Sequence, residues 1–279
     1  MYVIGLTGAP QHGKSTVGRL LRDLAGAHRS VDLEYSDLII AVANGWLCSL
    51  PEWLKQPSTT DPVILANAWI ALLPPALELT TGKSLDTRSL LIRSNDQTSK
   101  DLHRPLIEYT SRLRFPERIT RSNKIEHRRL LQWLGARMRI LVSESIWSDL
   151  IEAELTKLNA LNYQLVTVGG IRSRHETIPI WHRDGIVIRV VRGQFTRNSD
   201  PAETADVPYD IELHNDDGLE RLRATVETLW QHVLQGSLKH RRPEPRQYFA
   251  SASPHLITQA IQPILPGFLH SRQFRRHQH

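Results

Sequence analysis

At 279 residues, with 40% hydrophobic and 23% charged side chains, the chain suits one large α/β domain or one domain with a helical insertion and a tail, and disorder over most of its length is excluded. Its formal net charge of +6 favours phosphate-bearing partners without separating free nucleotides from a polymer. Cys48, the only cysteine, excludes an intrachain disulfide and a cysteine-built zinc site within one chain, and points to a reducing, cytoplasmic setting.

YVIGL at residues 2–6 predicts a buried strand, without the charged n-region and long apolar core of a secretory signal. Ser15 to Leu24 has helical apolar spacing through Val17, Leu20, Leu21 and Leu24. A short strand or turn is expected near Val31–Tyr35, then a helix through SDLIIAVANGWL that ends near Gly45, with Asp37 at its N-terminal end. From Pro51 to Arg121 the pattern is helical but broken by TTGKS, RSNDQTSKD and FPER, which read as loops; residues 50–120 are therefore expected as a helical insertion. Its most apolar window, PVILANAWIALLPPALEL, is interrupted by Asn67, Pro74 and Pro75, too short a clean run to span a bilayer, so no membrane partner is expected.

IEHRRLLQWLGARMRILV predicts a long helix on the recurrence of Ile125, Leu130, Leu131, Leu134 and Met138, and SIWSDLIEAELTKLNALN another. YQLVTVGG and IVIRVV read as strands around a helix-like RSRHETIPIWHRDG; the alternation implies a parallel, doubly wound sheet. Residues 192–208 are polar and arginine-containing and are expected to form a lid loop. DIEL and the stretch from Leu219 read as a last strand and helix, closing a domain over residues 1–236. The basic clusters LKHRRPEPRQ and SRQFRRHQH fall in a tail, 237–279, expected to be poorly ordered.

Gly8-Ala9-Pro10-Gln11-His12-Gly13-Lys14-Ser15 satisfies G-x-x-x-x-G-K-[ST], with a strand before it and a helix after it, and Thr16 follows. Glycines let successive backbone N–H groups face phosphate oxygens, and the helix N-terminus adds partial positive charge. Lys14 would reach the β- and γ-phosphates of ATP, and Ser15 would place its hydroxyl on Mg²⁺. No N-K-x-D base reader or D-x-x-G switch stands at a sensible position for a GTPase, and the strand a motor ATPase would end in consecutive acids ends in LVTVGG. Small-molecule kinases remain. Thirteen histidines form no H-E-x-x-H or comparable metal pair.

The order GAPQHGKST, YSDLIIAVA, RRLLQWLGARMR, SIWSDLI, LVTVGGIRSRHE, GIVIRVVRG, DPAE and LHNDDGLERL resembles the phage-type deoxynucleoside monophosphate kinases, within the adenylate-kinase-like P-loop group, over residues 1 to about 235 apart from roughly 50–120. The resemblance implies a doubly wound parallel sheet of the nucleoside-monophosphate-kinase type with a helical insertion. It implies acceptor contacts at Asp37, at Gln132 and Arg139, which lie seven residues apart on one helix face, and at Glu176, with Arg172 as a phosphate clamp. Each has a plainer reading: a charge complementing a helix dipole for Asp37, a solvated face for Gln132 and Arg139, and a surface pair of Arg172 with Glu176. Gly170 stands where the family commonly has an aspartate.

Arg192, with Arg189 and Arg197 beside it, is the candidate to neutralise charge on the transferred group, against the alternative of a structural strand-end arginine. Asn215 and Asp216 match a family turn near the donor base, but Asn-Asp-Asp-Gly is also an ordinary turn sequence. The expected function is ATP- and Mg²⁺-dependent phosphoryl transfer to a (deoxy)nucleoside monophosphate. Two alternatives stand beside it: a P-loop kinase acting on a hydroxyl of a nucleic-acid base or end, held through the basic tail, and a nucleotide-binding regulatory protein without transfer. A homodimer is left open.

Overall fold

Tyr2–Thr7 forms strand β1, and its last five residues are all buried, as expected of a strand covered on both faces. The computed structural model describes residues 1–50, 61–71, 73, 91–92, 96–112, 118–193, 207–236 and 238, with the side chains of 49, 112 and 141 outside that description. The expected lid loop, apart from its ends, and the basic tail, apart from Leu238, lie outside the described residues, as do TTGKS and most of FPER. Two compact units are distinguished: Met1–Tyr35 with the described residues from Trp147 onward, and Ser36–Ile146.

In the first unit, β1 leads through the glycine loop into α1 (Lys14–Ala25) and then β2 (Ser30–Glu34). After α6 (Ile146–Ala160, from its second residue) come β3 (Leu165–Gly169), a 3₁₀ turn at His175–Thr177, the short α7 (Ile178–Trp181), β4 (Ile186–Val191), β5 (Ile211–His214) and α8 (Leu219–Leu234). The sheet order is β2-β3-β1-β4-β5 and every pairing is parallel, with Tyr2 opposite Leu165 and Ile4 opposite Ile186. This is the α/β architecture expected from the alternating strands and helices.

One face of the sheet offers Ile4, Leu6, Ile188 and Val190 to Val17 and Leu21 of α1 and to Leu222, Val226 and Trp230 of α8. On the other, Gly5 lies against Ile171, Ile180 and Val187, close enough that a side chain at position 5 would displace them. Asp210 ties this side together: one carboxylate oxygen accepts from Trp181 Nε1 at 2.9 Å and from the Val187 N–H at 2.7 Å.

The second unit contains α2 (Tyr35–Ser49, from its second residue), α3 (Pro62–Ala71), α4 (Gln97–Arg112) and α5 (Arg128–Leu141). Its core is aromatic. Trp46 stacks on Trp133 with ring centroids 6.1 Å apart and meets Trp69 edge-on at 5.6 Å, while Tyr109 adjoins Trp69 and His127. Asn67, which interrupts the apolar window in sequence, holds the Ile92 backbone: its carbonyl oxygen accepts the Ile92 N–H at 2.7 Å and its amide donates to the Ile92 carbonyl at 3.0 Å. Asn44 does the same for Ile119, with both bonds at 2.8 Å.

Three boundaries differ from expectation. α2 continues through Gly45 to Ser49, because Trp46 and Leu47 are buried and their packing outweighs the helix cost of one glycine, about 1 kcal/mol. RSNDQTSKD is not a loop throughout: Asp96 Oδ1 accepts the Ser99 N–H at 3.2 Å and starts α4 at Gln97. α5 starts at Arg128, and Ile125, placed by periodicity on the apolar face, lies in the preceding turns at 79% exposure.

Candidate functional site

The loop between β1 and α1 is shaped by its glycines. Gly8 has φ 125° with its Cα against the Val190 carbonyl, and Gly13 has φ 97° with its Cα against the Asn215 amide, so a Cβ at either position would collide as well as strain the backbone. α1 begins on Gly13 with no side-chain cap and no acidic residue in its first turn. A helix start in that state offers its first N–H groups and the positive end of its dipole to an anion. Lys14 folds back over the loop and donates to the carbonyls of Gly8 and Ala9 at 2.7 Å each, while Ser15 is exposed at the head of the helix. Pro10 and Gln11 are exposed at the tip, Gln11 with φ 64°, and Thr16 N–H closes the first turn on the Gly13 carbonyl at 2.9 Å.

His12 is the one buried side chain of the loop. Its Nδ1 accepts the Arg192 N–H at 3.2 Å and lies 3.2 Å from the Val190 carbonyl. Only the tautomer with its proton on Nε2 can accept at Nδ1, and Nε2 is buried with no partner among the described residues. Asn215, 9% exposed, donates from Nδ2 to the His12 carbonyl at 2.9 Å and from its N–H to the Val191 carbonyl at 2.8 Å. Asp216 Oδ1 accepts the Gly193 N–H at 2.6 Å. The Asn-Asp pair that reads in sequence as a turn thus fastens the glycine loop and the end of β4 to each other. Arg192 is half-buried with its backbone in this brace, Arg189 lays its guanidinium over the Tyr209 ring at 5.3 Å, and Arg197 lies outside the described residues.

Beyond β3, Gly170 has φ 77°. A Cβ there would meet nothing closer than the Tyr35 nitrogen at 3.7 Å, so the limit on this position is the backbone angle and not space. Arg172 is exposed and its N–H donates to Glu176 Oε2 at 2.6 Å; Glu176 is 4% exposed, and its own carbonyl accepts from Tyr35 Oη at 2.7 Å. Glu176 therefore organises the backbone of the Arg172 loop. The carboxylate in register with Gly169 is Glu34, at the end of β2, whose Cγ lies 3.4 Å from where a Gly169 Cβ would stand.

In the second unit, Asp37 sits in the first turn of α2, 4% exposed, and both of its oxygens accept from Arg121: Oδ1 from Nε at 2.6 Å and Oδ2 from Nη2. Arg121 was not a sequence candidate, because its partner is 84 residues away and TRSNK carries no motif. Gln132 and Arg139 are both exposed on α5. Lys14, Arg172, Glu176 and Arg192 belong to the first unit, and Asp37, Gln132 and Arg139 to the second.

Among the described residues, no group of three or more His, Cys, Asp or Glu side chains is disposed to hold a metal ion. The donor set suits a magnesium ion carried by phosphate oxygens with one hydroxyl ligand, Ser15, since Mg²⁺ is commonly bound through one or two protein groups plus substrate phosphates. Among the described residues no helix is long and apolar enough to cross a membrane. Neither a protein-family model nor a curated protein matches this sequence.

Proposed function

We propose that the protein transfers the γ-phosphoryl group of ATP to a (deoxy)nucleoside monophosphate, giving the diphosphate. The observation that carries the reading is the start of α1: a left-handed Gly13, an uncapped helix N-terminus and Lys14 folded over the loop, at the carboxyl end of a central parallel strand. Open parallel sheets bind their ligands at that end. Mg²⁺, held through Ser15 and phosphate oxygens, would neutralise charge on the reacting phosphates.

In this reading Lys14 exchanges its loop carbonyls for β- and γ-phosphate oxygens, which are stronger, charge-assisted partners. Arg192, held by its N–H to His12, neutralises charge developing on the transferred group. Arg172 takes a substrate phosphate in a bidentate grip, and Gln132 and Arg139 supply the acceptor contacts that the family resemblance implies. Asp37 acts through Arg121, whose guanidinium it orients, and Glu176 acts by holding the Arg172 loop. Catalysis is then positioning and charge stabilisation, with no covalent step on the protein.

Gly170 favours a second reading, in which the protein binds nucleotide as a regulatory module and transfers nothing, because its backbone angle disfavours the carboxylate expected there. A product screen with labelled ATP against the common nucleoside monophosphates, with a DNA oligonucleotide included, separates the readings. Nucleoside diphosphate product that is lost at least about a hundredfold in Lys14→Ala supports transfer. Tight ATP binding without product from any acceptor supports the regulatory reading, and labelled oligonucleotide with no labelled diphosphate moves the assignment to nucleic-acid ends.

A further inference from the structure

A groove of about 500 Å³ runs between α4 and α5 of the second unit, and Arg137 lines it. Arg137 is partly buried, its Nε is enclosed, and among the described residues nothing accepts a hydrogen bond from it. The other two arginines at the groove are neutralised: Arg104 pairs with Asp101 at 2.7 Å and Arg129 with Glu108 at 2.5 Å. Among the described residues, Arg137 is therefore the one arginine of the groove without a carboxylate partner. Leu102 and Pro105 are its apolar lining, and Gln132, one of the acceptor candidates, also lines it.

A partly buried guanidinium whose enclosed Nε has no acceptor gains from an external anion that reaches it. We propose that this groove is a binding site for a small organic anion, a phosphate monoester or carboxylate with an apolar body, anchored on Arg137. Its volume lies in the range of small-molecule sites, about 300–1,000 Å³. A nucleic-acid strand would need a row of unpaired cations, whereas Arg104 and Arg129 are already paired with Asp101 and Glu108. The site needs only α4, α5 and Arg137, and so stands whether or not the phosphate loop supports transfer.

A reporter lies under the groove. His103 is 1% exposed, Nδ1 accepts from Trp133 Nε1 at 3.2 Å, and burial together with the nearby Arg137 charge lowers its pKa to about 4. An anion on Arg137 offsets the second of these causes and raises that value.

The test uses the full chain. The His103 titration is followed by NMR with and without inorganic phosphate, and binding of phosphate, of thymidine 5′-monophosphate and of thymidine is measured by calorimetry in Lys14→Ala, which weakens the phosphate loop as a competing site. The expected results are an upward movement of the His103 titration with phosphate, binding of the monophosphate at least about tenfold tighter than of thymidine, and loss of that preference in Arg137→Gln. Arg137→Gln should unfold at about the same temperature, since it removes a partly buried charge that has no carboxylate partner among the described residues. An unmoved His103 titration, or phosphate binding in Arg137→Gln within about twofold of its parent, overturns the site. Tighter capture of a short DNA strand than of the monophosphate overturns the small-anion assignment. In the Lys14-intact protein, Arg137→Gln that raises the acceptor KM marks the groove as the acceptor's, and a change confined to kcat at saturating acceptor marks it as an effector's; absence of any phosphoryl product with phosphate binding retained removes the transfer reading and leaves the groove standing.

Discussion

Gly170 can be judged by its backbone. With φ 77° any L side chain there is strained, so Gly170→Ala should lower stability by about 1–2 kcal/mol in urea denaturation although open space surrounds the Cβ. Gly170→Asp should show a smaller loss, since aspartate tolerates this region better than alanine, and if the native protein binds nucleotide without transfer, gain of transfer in that variant would trace the difference to the carboxylate. Asp37 makes a different kind of prediction. Removing it leaves the Arg121 guanidinium, 23% exposed, without its bidentate partner. Asp37→Ala should therefore destabilise by about 3 kcal/mol, and the double variant with Arg121→Met should recover much of that. If Asp37→Ala raised only the acceptor KM at unchanged stability, the carboxylate would be a direct acceptor ligand. These two residues also show what single-sequence reading misses: the glycine's angle and the arginine's reach both depend on backbone brought together from remote positions.

At the scale of elements, β1, α1, β3, β4 and α8 are legible because their signals are local: β-branched runs, 3.6-residue spacing and a glycine loop with fixed internal distances. The brace on that loop is not legible. Asn215 reaches the His12 carbonyl across 203 residues, and nothing in HNDDG distinguishes a turn from a clamp. α4 is half-legible, since Asp96 is a cap that a polar run conceals. The periodicity that includes Ile125 fails for the opposite reason, because spacing continues through turns that no longer have the helical angle. The brace yields a prediction at this scale. Asn215→Ala leaves the His12 carbonyl and the space beside Gly13 unfilled, so nucleotide binding should weaken by about fivefold to tenfold, with a global stability loss of about 1–2 kcal/mol. His12→Phe should lower kcat more than it changes nucleotide KM, because Arg192 loses its tether while the loop keeps Lys14; His12→Asn, which restores an acceptor, should recover part of it. Equal losses in the two His12 variants would assign the residue to packing alone.

For the whole molecule, His103 is one group through which pH acts. Its pKa in the folded protein, about 4, lies below the ordinary histidine value of about 6.5, so the unfolded chain binds the extra proton between those values. Stability should be unaffected by this group above pH ~6.5, fall as pH drops from there towards about 4, and fall no further below that. Urea midpoints measured across that window should slope less in His103→Gln, and an unchanged slope would exclude His103 as the source. The position of β1 matters at a different time, during synthesis. It lies in the middle of the sheet, yet its neighbours are β3, met at Leu165, and β4, met at Ile186. A ribosome adding about 5–20 residues per second therefore exposes an apolar strand with two unpaired edges for many seconds before either partner exists. Truncations ending before Leu165 should consequently aggregate or engage chaperones instead of accumulating as a folded amino-terminal piece, and a nascent chain should become protease-resistant only after β4 has emerged.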